Sequence, residues 1–175
     1  MGAPQILTSI HGRAFGLGPK GELISNNTAG GLVNAQAVQN AVVRATIANA
    51  LVLGLNAVPF ELVPAPGLGK TLIANKIVAS KAAGVAFAAG AGEDLAIIPT
   101  GGAVTFCAID SAGFLDSTAD EIRFGERVPA NPETLDVTAL QNLALEATIL
   151  VGEVITGDSD LIVEVHYQIF DSLLS

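Results

Sequence analysis

The sequence predicts a mainly β chain: an antiparallel sandwich or barrel forming a single domain at residues 41–175, behind an extended N-terminal arm at residues 1–40. Three observations carry this prediction. Seven or eight short apolar runs follow one another, separated by Gly- and Pro-containing turns. They do not alternate with helices, which argues against parallel βαβ units. In LIVEVHYQIF, Leu161, Val163, Val165, Tyr167 and Ile169 face one way, while Glu164, His166 and Gln168 face the other.

The arm differs in texture from the rest of the chain. GRAFGLGPKGELISNNTAGGLVN is rich in Gly, Asn and Ser, with apolar islands at Ala14-Phe15 and Leu23-Ile24. Such a segment gains order by lying on something else. Next, Asn34 is placed as an N-cap ahead of Val38, Val42 and Ala45, a spacing that predicts a short helix over residues 34–45. In VPFELV, Val58, Phe60 and Leu62 alternate with Pro59, Glu61 and Val63, which reads as a strand. A Pro/Gly loop and a second β-capable run come after it, so residues 58–80 are expected to form a hairpin. Further strands are expected at 85–89, 95–99 and 103–109, with a loop or helical turn at 110–118. DEIRFGERV at 120–128 sets Ile122, Phe124 and Val128 against Glu121, Arg123 and Arg127, and PANPE is a loop. LQNLALEATIL at 140–150 fits both the helical and the strand period. A strand ending near Ile155 leads to a tight turn, TGDSD, before the last strand.

Within the loop after VPFELV, Gly69-Lys70-Thr71 copies the end of a phosphate-binding loop. The rest of that motif is missing. Pro64 stands where its first glycine belongs and Pro66 removes another N–H donor, whereas the phosphate cradle is made of backbone N–H groups. No helix N-terminus is announced after it. The three residues are read as a turn.

Composition narrows the function classes. Of the 175 residues, half are hydrophobic but only 14% are charged, against about 25% in an ordinary soluble domain. So few charges favour a protein that buries surface against copies or partners. The net charge is −9 and no Lys/Arg cluster occurs, so direct nucleic-acid binding is not expected. AVVRATIANALVLGLNAV is interrupted by Arg44 and two Asn and does not read as a membrane span, and MGAPQILTSIHGR lacks the layout of a signal peptide. Synthesis and assembly in the cytoplasm are expected.

The sequence shows no reactive constellation, and no catalytic, cofactor-binding or metal-ligating residue is assigned. His11 and His166 have no metal-ligand spacing, and His166 reads as an exposed strand histidine. Cys107, the single cysteine, lies in AVTFCAI and reads as a small core residue. Asp158 and Asp160 share a turn whose chemistry explains them. Asp110, Asp116, Asp120 and Glu121 are the densest acidic stretch and are read as capping and solvated groups.

Three stretches carry a resemblance: LGLNAVPFELVPAPGLGK at 53–70, AIDSAGFLDSTADEIR at 108–123 and GDSDLIVEVHYQIF at 157–170. An L-N-A-x-P entry into a strand, a P-A-P-G-x-G-K turn, and a final G-D turn leading to an alternating strand with a late Tyr resemble the head decoration (cement) proteins of tailed bacteriophages. The resemblance implies a jelly-roll domain and a non-enzymatic homotrimer without cofactors. It also implies binding to the major capsid protein on the outer surface of the virion, with no nucleic-acid or membrane partner. The arm at 1–40 carries no part of it. Two other classes remain open: another virion part (tail, fibre or neck) or a trimeric carbohydrate-binding jelly roll, and an enzyme. Having no Trp and one Tyr weighs against sugar stacking. A jelly-roll metalloenzyme would need several inward histidines, and only His166 lies in the β region.

Overall fold

The computed structural model describes residues 6–10, 13–17, 23–26, 32–34, 39–127 and 138–171. The chain divides into two units between Ala37 and Val38. In the first, β1 (Ile6–Ile10), β2 (Arg13–Leu17), β3 (Leu23–Asn26) and β4 (Leu32–Asn34) form an antiparallel meander in sequence order. The Ala14-Phe15 and Leu23-Ile24 islands fall within β2 and β3.

The second unit contains β5 (Gln39–Ile47), a one-turn helix α1 (Asn49–Val52), β6 (Phe60–Val63), β7 (Lys70–Lys81) and β8 (Leu95–Pro99). After these come β9 (Cys107–Ile109), β10 (Glu121–Glu126), β11 (Leu145–Ile149) and β12 (Leu161–Asp171). The pairs β8·β9, β7·β10, β6·β11 and β5·β12 are those of one long antiparallel ribbon folded at its tip between β8 and β9. Rolling this ribbon sets β12 beside β7 and β11 beside β8. The result is two four-stranded sheets, β10-β7-β12-β5 and β6-β11-β8-β9, with the connectivity of a jelly roll.

Alternation decides which side chains enter the space between the sheets. Leu161, Val163 and Val165 of β12 are buried, with Tyr167 and Ile169 packed at the margin of the core. From the facing sheet, Leu95, Ile97, Leu145, Ala147 and Ile149 meet them, and each fully buried Leu or Ile contributes about 1.5–3 kcal/mol. The aromatic part of the core, Phe87, Phe106 and Phe114, comes from connections rather than from strands. Close backbone packing closes one side of the sandwich, where Arg127 bridges to Cys107. A Cβ at Gly125 of β10 would lie 2.8 Å from the carbonyl carbon of Ala108 and closer still to its oxygen, so only glycine fits there.

Four expectations need correction. Residues 39–47 form a strand rather than part of a helix over 34–45, and Asn34 ends β4. Along β5, Ala41, Val43, Ala45 and Ile47 turn inward while Val42, Arg44 and Thr46 face solvent, so pairing along β12 selects period two. Residues 58–80 do not form a hairpin: β6 and β7 lie in opposite sheets, and the loop between them crosses the sandwich. Residues 85–89 and the run to Ile155 are not strands but meet in a single bridge, Ala88 to Ile155. Of 103–109, only the last three residues are regular strand. The ambiguous 140–150 segment resolves as β11. Val128, the PANPE loop and His11 lie outside the described residues.

Candidate functional site

The jelly roll places four connections at one end of the sandwich: 48–59, 82–94, 110–120 and 150–160. Hydrogen bonds between the loops hold them together. The 150–160 loop lies between two others. On one side, Glu153 accepts the backbone N–H groups of Asn56 and Ala57 at 3.1 and 2.7 Å, and Asp160 accepts that of Asn49 at 2.9 Å. On the other side, Asp158 accepts the N–H of Val85 at 2.8 Å, and Ser159 donates to the Ala82 carbonyl at 3.0 Å. The 82–94 loop is tied in turn to 110–120, where Asp120 accepts the Ala83 N–H at 2.8 Å and Asp94 accepts that of Ser111 at 3.0 Å. Phe87 anchors the centre: its ring is fully buried and its N–H donates to the Leu115 carbonyl at 2.9 Å.

Lys81, at the end of β7, fastens the last of these loops from inside. It is 4% exposed, and its ammonium donates to the Ser117 carbonyl at 2.5 Å and the Ala119 carbonyl at 3.4 Å. A cleft of about 540 Å³ lies beside it, lined by Thr46, Ser80, Asp158, Asp160 and Ile162 among others.

Two properties distinguish this end. The first is exposed apolar surface: Leu51 and Val58 on one loop, Val85 on the next, and Val151 and Ile155 on the loop between them are all more than half exposed. The second is charge. Glu93 and Asp94 lie in one loop, Asp110, Asp116 and Asp120 in another, and Glu153, Asp158 and Asp160 in a third, eight of the chain's 17 acidic residues. None of the four loops contains a Lys, Arg or His. The opposite end, built from 64–69, 100–106 and 127–144, has a single exposed large apolar side chain, Leu68, and no such run of carboxylates among its described residues.

The aspartates singled out from the sequence bind backbone, and Glu121 binds side chains. Besides Asp120, Asp158 and Asp160, Asp110 accepts the N–H of Ala112 and Asp116 that of Gly113, both within their own turn. Glu121 accepts the Ser117 hydroxyl and lies 3.5 Å from Arg123. Among the described residues no group of three or more His, Cys, Asp and Glu is placed to hold a metal ion. His166 stands on the outer face of its sheet, 3.0 Å from Glu164. In the turn that carries Gly69-Lys70-Thr71, Gly67 and Gly69 have φ of +97° and +76°, and the Lys70 N–H donates to the Gly67 carbonyl at 3.3 Å.

Cys107 is fully buried, and burial pushes its thiol up from 9.0 to about 11, against a smaller opposing effect of Arg127. The thiol is therefore protonated through the neutral range and shielded from reagents. An aromatic disulfide reagent at neutral pH is expected to label it only at the rate of unfolding. Between pH 9 and about 11 the unfolded thiol ionises and the folded one does not, so native stability falls with rising pH in that window. Urea midpoints for Cys107→Ala should lose less over the same window than those of the wild type.

A second apolar patch lies on the outer face of β10-β7-β12-β5, where Ile122 and Phe124 are 69% and 68% exposed. Their register neighbours across the sheet are Ser80 and Val78, then Ile162 and Glu164. This face mixes both signs of charge, and the Lys76 ammonium sits 5.5 Å from the centre of the Phe124 ring. The sequence pattern shows the alternation of Ile122 and Phe124 but gives no reason to place them outside.

The fold and this end together define a jelly-roll β-sandwich with one rigid, acidic, partly apolar loop surface. Compared with known proteins, the chain matches no protein-family model, no curated protein and no solved structure.

Proposed function

We propose that the chain is a structural virion protein: a decoration (cement) protein that binds the major capsid protein lattice of a tailed bacteriophage from outside and stabilises it. The observation that carries this reading is the apolar loop end of the sandwich. Five large apolar side chains project from three adjacent loops that are already locked by hydrogen bonds. Clustered exposed apolar side chains mark association surfaces, and locked loops lose little entropy on binding. The three stretches that resemble decoration proteins fall on the strands and turns of this sandwich. A low-charge domain of this kind suits self-association about a symmetry axis, a homotrimer on this reading, and repeated weak contacts around a shell add through avidity.

The test is co-sedimentation of the purified chain with emptied shells of the phage that encodes it. Saturable binding and a higher shell melting temperature are expected; a chain that stays in the supernatant at every concentration would overturn the reading. The arm contributes to attachment in this proposal. Because β5 begins at Gln39, the cut that tests it removes residues 1–37 rather than 1–40. The shortened chain is expected to keep the far-ultraviolet circular dichroism of a β-sandwich while its affinity for shells falls about tenfold or more.

A further inference from the structure

The geometry points to the four-loop end as the surface that docks on the shell, and to a partner surface with an apolar centre ringed by Lys and Arg side chains. This inference rests on the decoration reading and adds to it which face docks and what chemistry it meets. Charge complementarity selects the partner. The four loops hold eight carboxylates and no basic residue. Lys81 of β7 and Arg123 of β10, which donate to carbonyls of the 110–120 loop, offset two of them. A partner rim of either neutral or acidic groups would leave the remaining negative field uncompensated or opposed. Backbone N–H groups occupy one oxygen of Asp158 and one of Asp160, which fixes the orientation of both carboxylates without cancelling their charge.

The 150–160 loop is the centre of the surface. Val151 is 82% exposed at φ +69° and Ile155 is 63% exposed, followed by Thr156 at φ +58°. Positive φ is costly for β-branched residues, and folding alone gives no reason to hold an exposed valine there. A protein partner that covers Val151 and Ile155 supplies that reason. The outer face of β10-β7-β12-β5 is the weaker candidate, because its Phe124 already lies under Lys76 and its charges are of both signs.

The experiment measures binding of the full chain to emptied shells for four proteins: wild type, Val151→Gly, Ile155→Lys and Phe124→Ser. Val151→Gly removes both the apolar side chain and the strained backbone, so it is expected to fold at least as well as the wild type and to bind more weakly. Ile155→Lys is expected to lower affinity about tenfold or more, since it removes the apolar contact and sets a positive charge against a basic rim. Phe124→Ser is expected to bind like the wild type, and wild-type binding is expected to weaken as salt rises. Equal binding by wild type, Val151→Gly and Ile155→Lys overturns the docking end and leaves the decoration reading standing, as does a loss seen with Phe124→Ser alone. Failure of the wild type to bind overturns both. Light scattering completes the set: a wild-type oligomer that Ile155→Lys dissociates makes a second copy the occupant and overturns the proposal.

Discussion

Gly157→Ala is expected to lose about 3 kcal/mol or more of folding stability, read as a large drop in the urea midpoint at unchanged slope. Two independent effects add at this position. Gly157 has φ +95°, where any Cβ is strained. That Cβ would also fall on Cδ1 of the Phe87 ring, with Cε1 and Cγ at 2.6 and 2.7 Å, and the ring is itself fully buried in a close-packed core. Gly157 also accepts a hydrogen bond from the Asn49 side chain at 3.2 Å, so a shift of its backbone is passed to the 48–59 loop. Shortening the ring separates the two effects: in Gly157→Ala with Phe87→Leu, the combined loss should be smaller than the sum of the single losses. A midpoint for Gly157→Ala within error of the wild type would show that this loop does not hold Phe87 as described.

That glycine shows how far the sequence can be read. TGDSD is legible as a turn from composition alone, and β12 is legible because its alternation runs unbroken from Leu161 to Ile169. β10 is legible for the same reason, and β8 as a short continuous apolar run, LAIIP, bounded by turn residues. β5 is not, because its residues are mainly Ala, Val, Asn and Thr, which fit two periods until β12 pairs with them. The connection after Val63 is legible as a turn but not as a crossing between sheets, since local pattern does not tell a hairpin from a crossover. VAFAA at 85–89 reads as a strand because it is apolar. Its physical role is different: Phe87 is a plug for the core, and glycines at 84, 90 and 92 bracket the segment. The loop surface is the least legible feature, because it is assembled from four connections distant in sequence. One signal is present. Counting charges loop by loop picks out 82–94, 110–120 and 150–160 as connections with carboxylates and no basic residue, and alternate connections of a jelly roll share an end. The densest acidic stretch shows nothing of this by itself, without the other loops beside it.

Lys81→Met is expected to cost about 1.5–3 kcal/mol and to loosen the loop end selectively. The lysine is nearly fully buried, yet its partners are the carbonyl oxygens of Ser117 and Ala119 rather than a carboxylate. Methionine matches its length and its apolar stem but donates nothing. Two carbonyls lose a charged donor: the short bond to half-buried Ser117 carries most of the cost, about 1.5–3 kcal/mol, while the carbonyl of exposed Ala119, 3.4 Å from the ammonium, turns to water instead. Lys81→Arg keeps the donors in a bulkier head and should recover part of the loss. The location of the damage matters more than its size. The 110–120 loop meets 82–94 through the Ala83 N–H to Asp120 and the Gly84 N–H to the Thr118 carbonyl, at 2.8 and 3.1 Å. Freeing residues 117–119 from Lys81 should therefore speed hydrogen exchange at the amides of Ala83 and Gly84 well before it reaches those of β12, such as Val163. If exchange instead rose equally across the sandwich, Lys81 would be an ordinary part of a uniformly cooperative core. With the selective result, binding to shells should weaken more than global stability accounts for, because a loop end that must be reordered on contact binds less tightly than one already fixed.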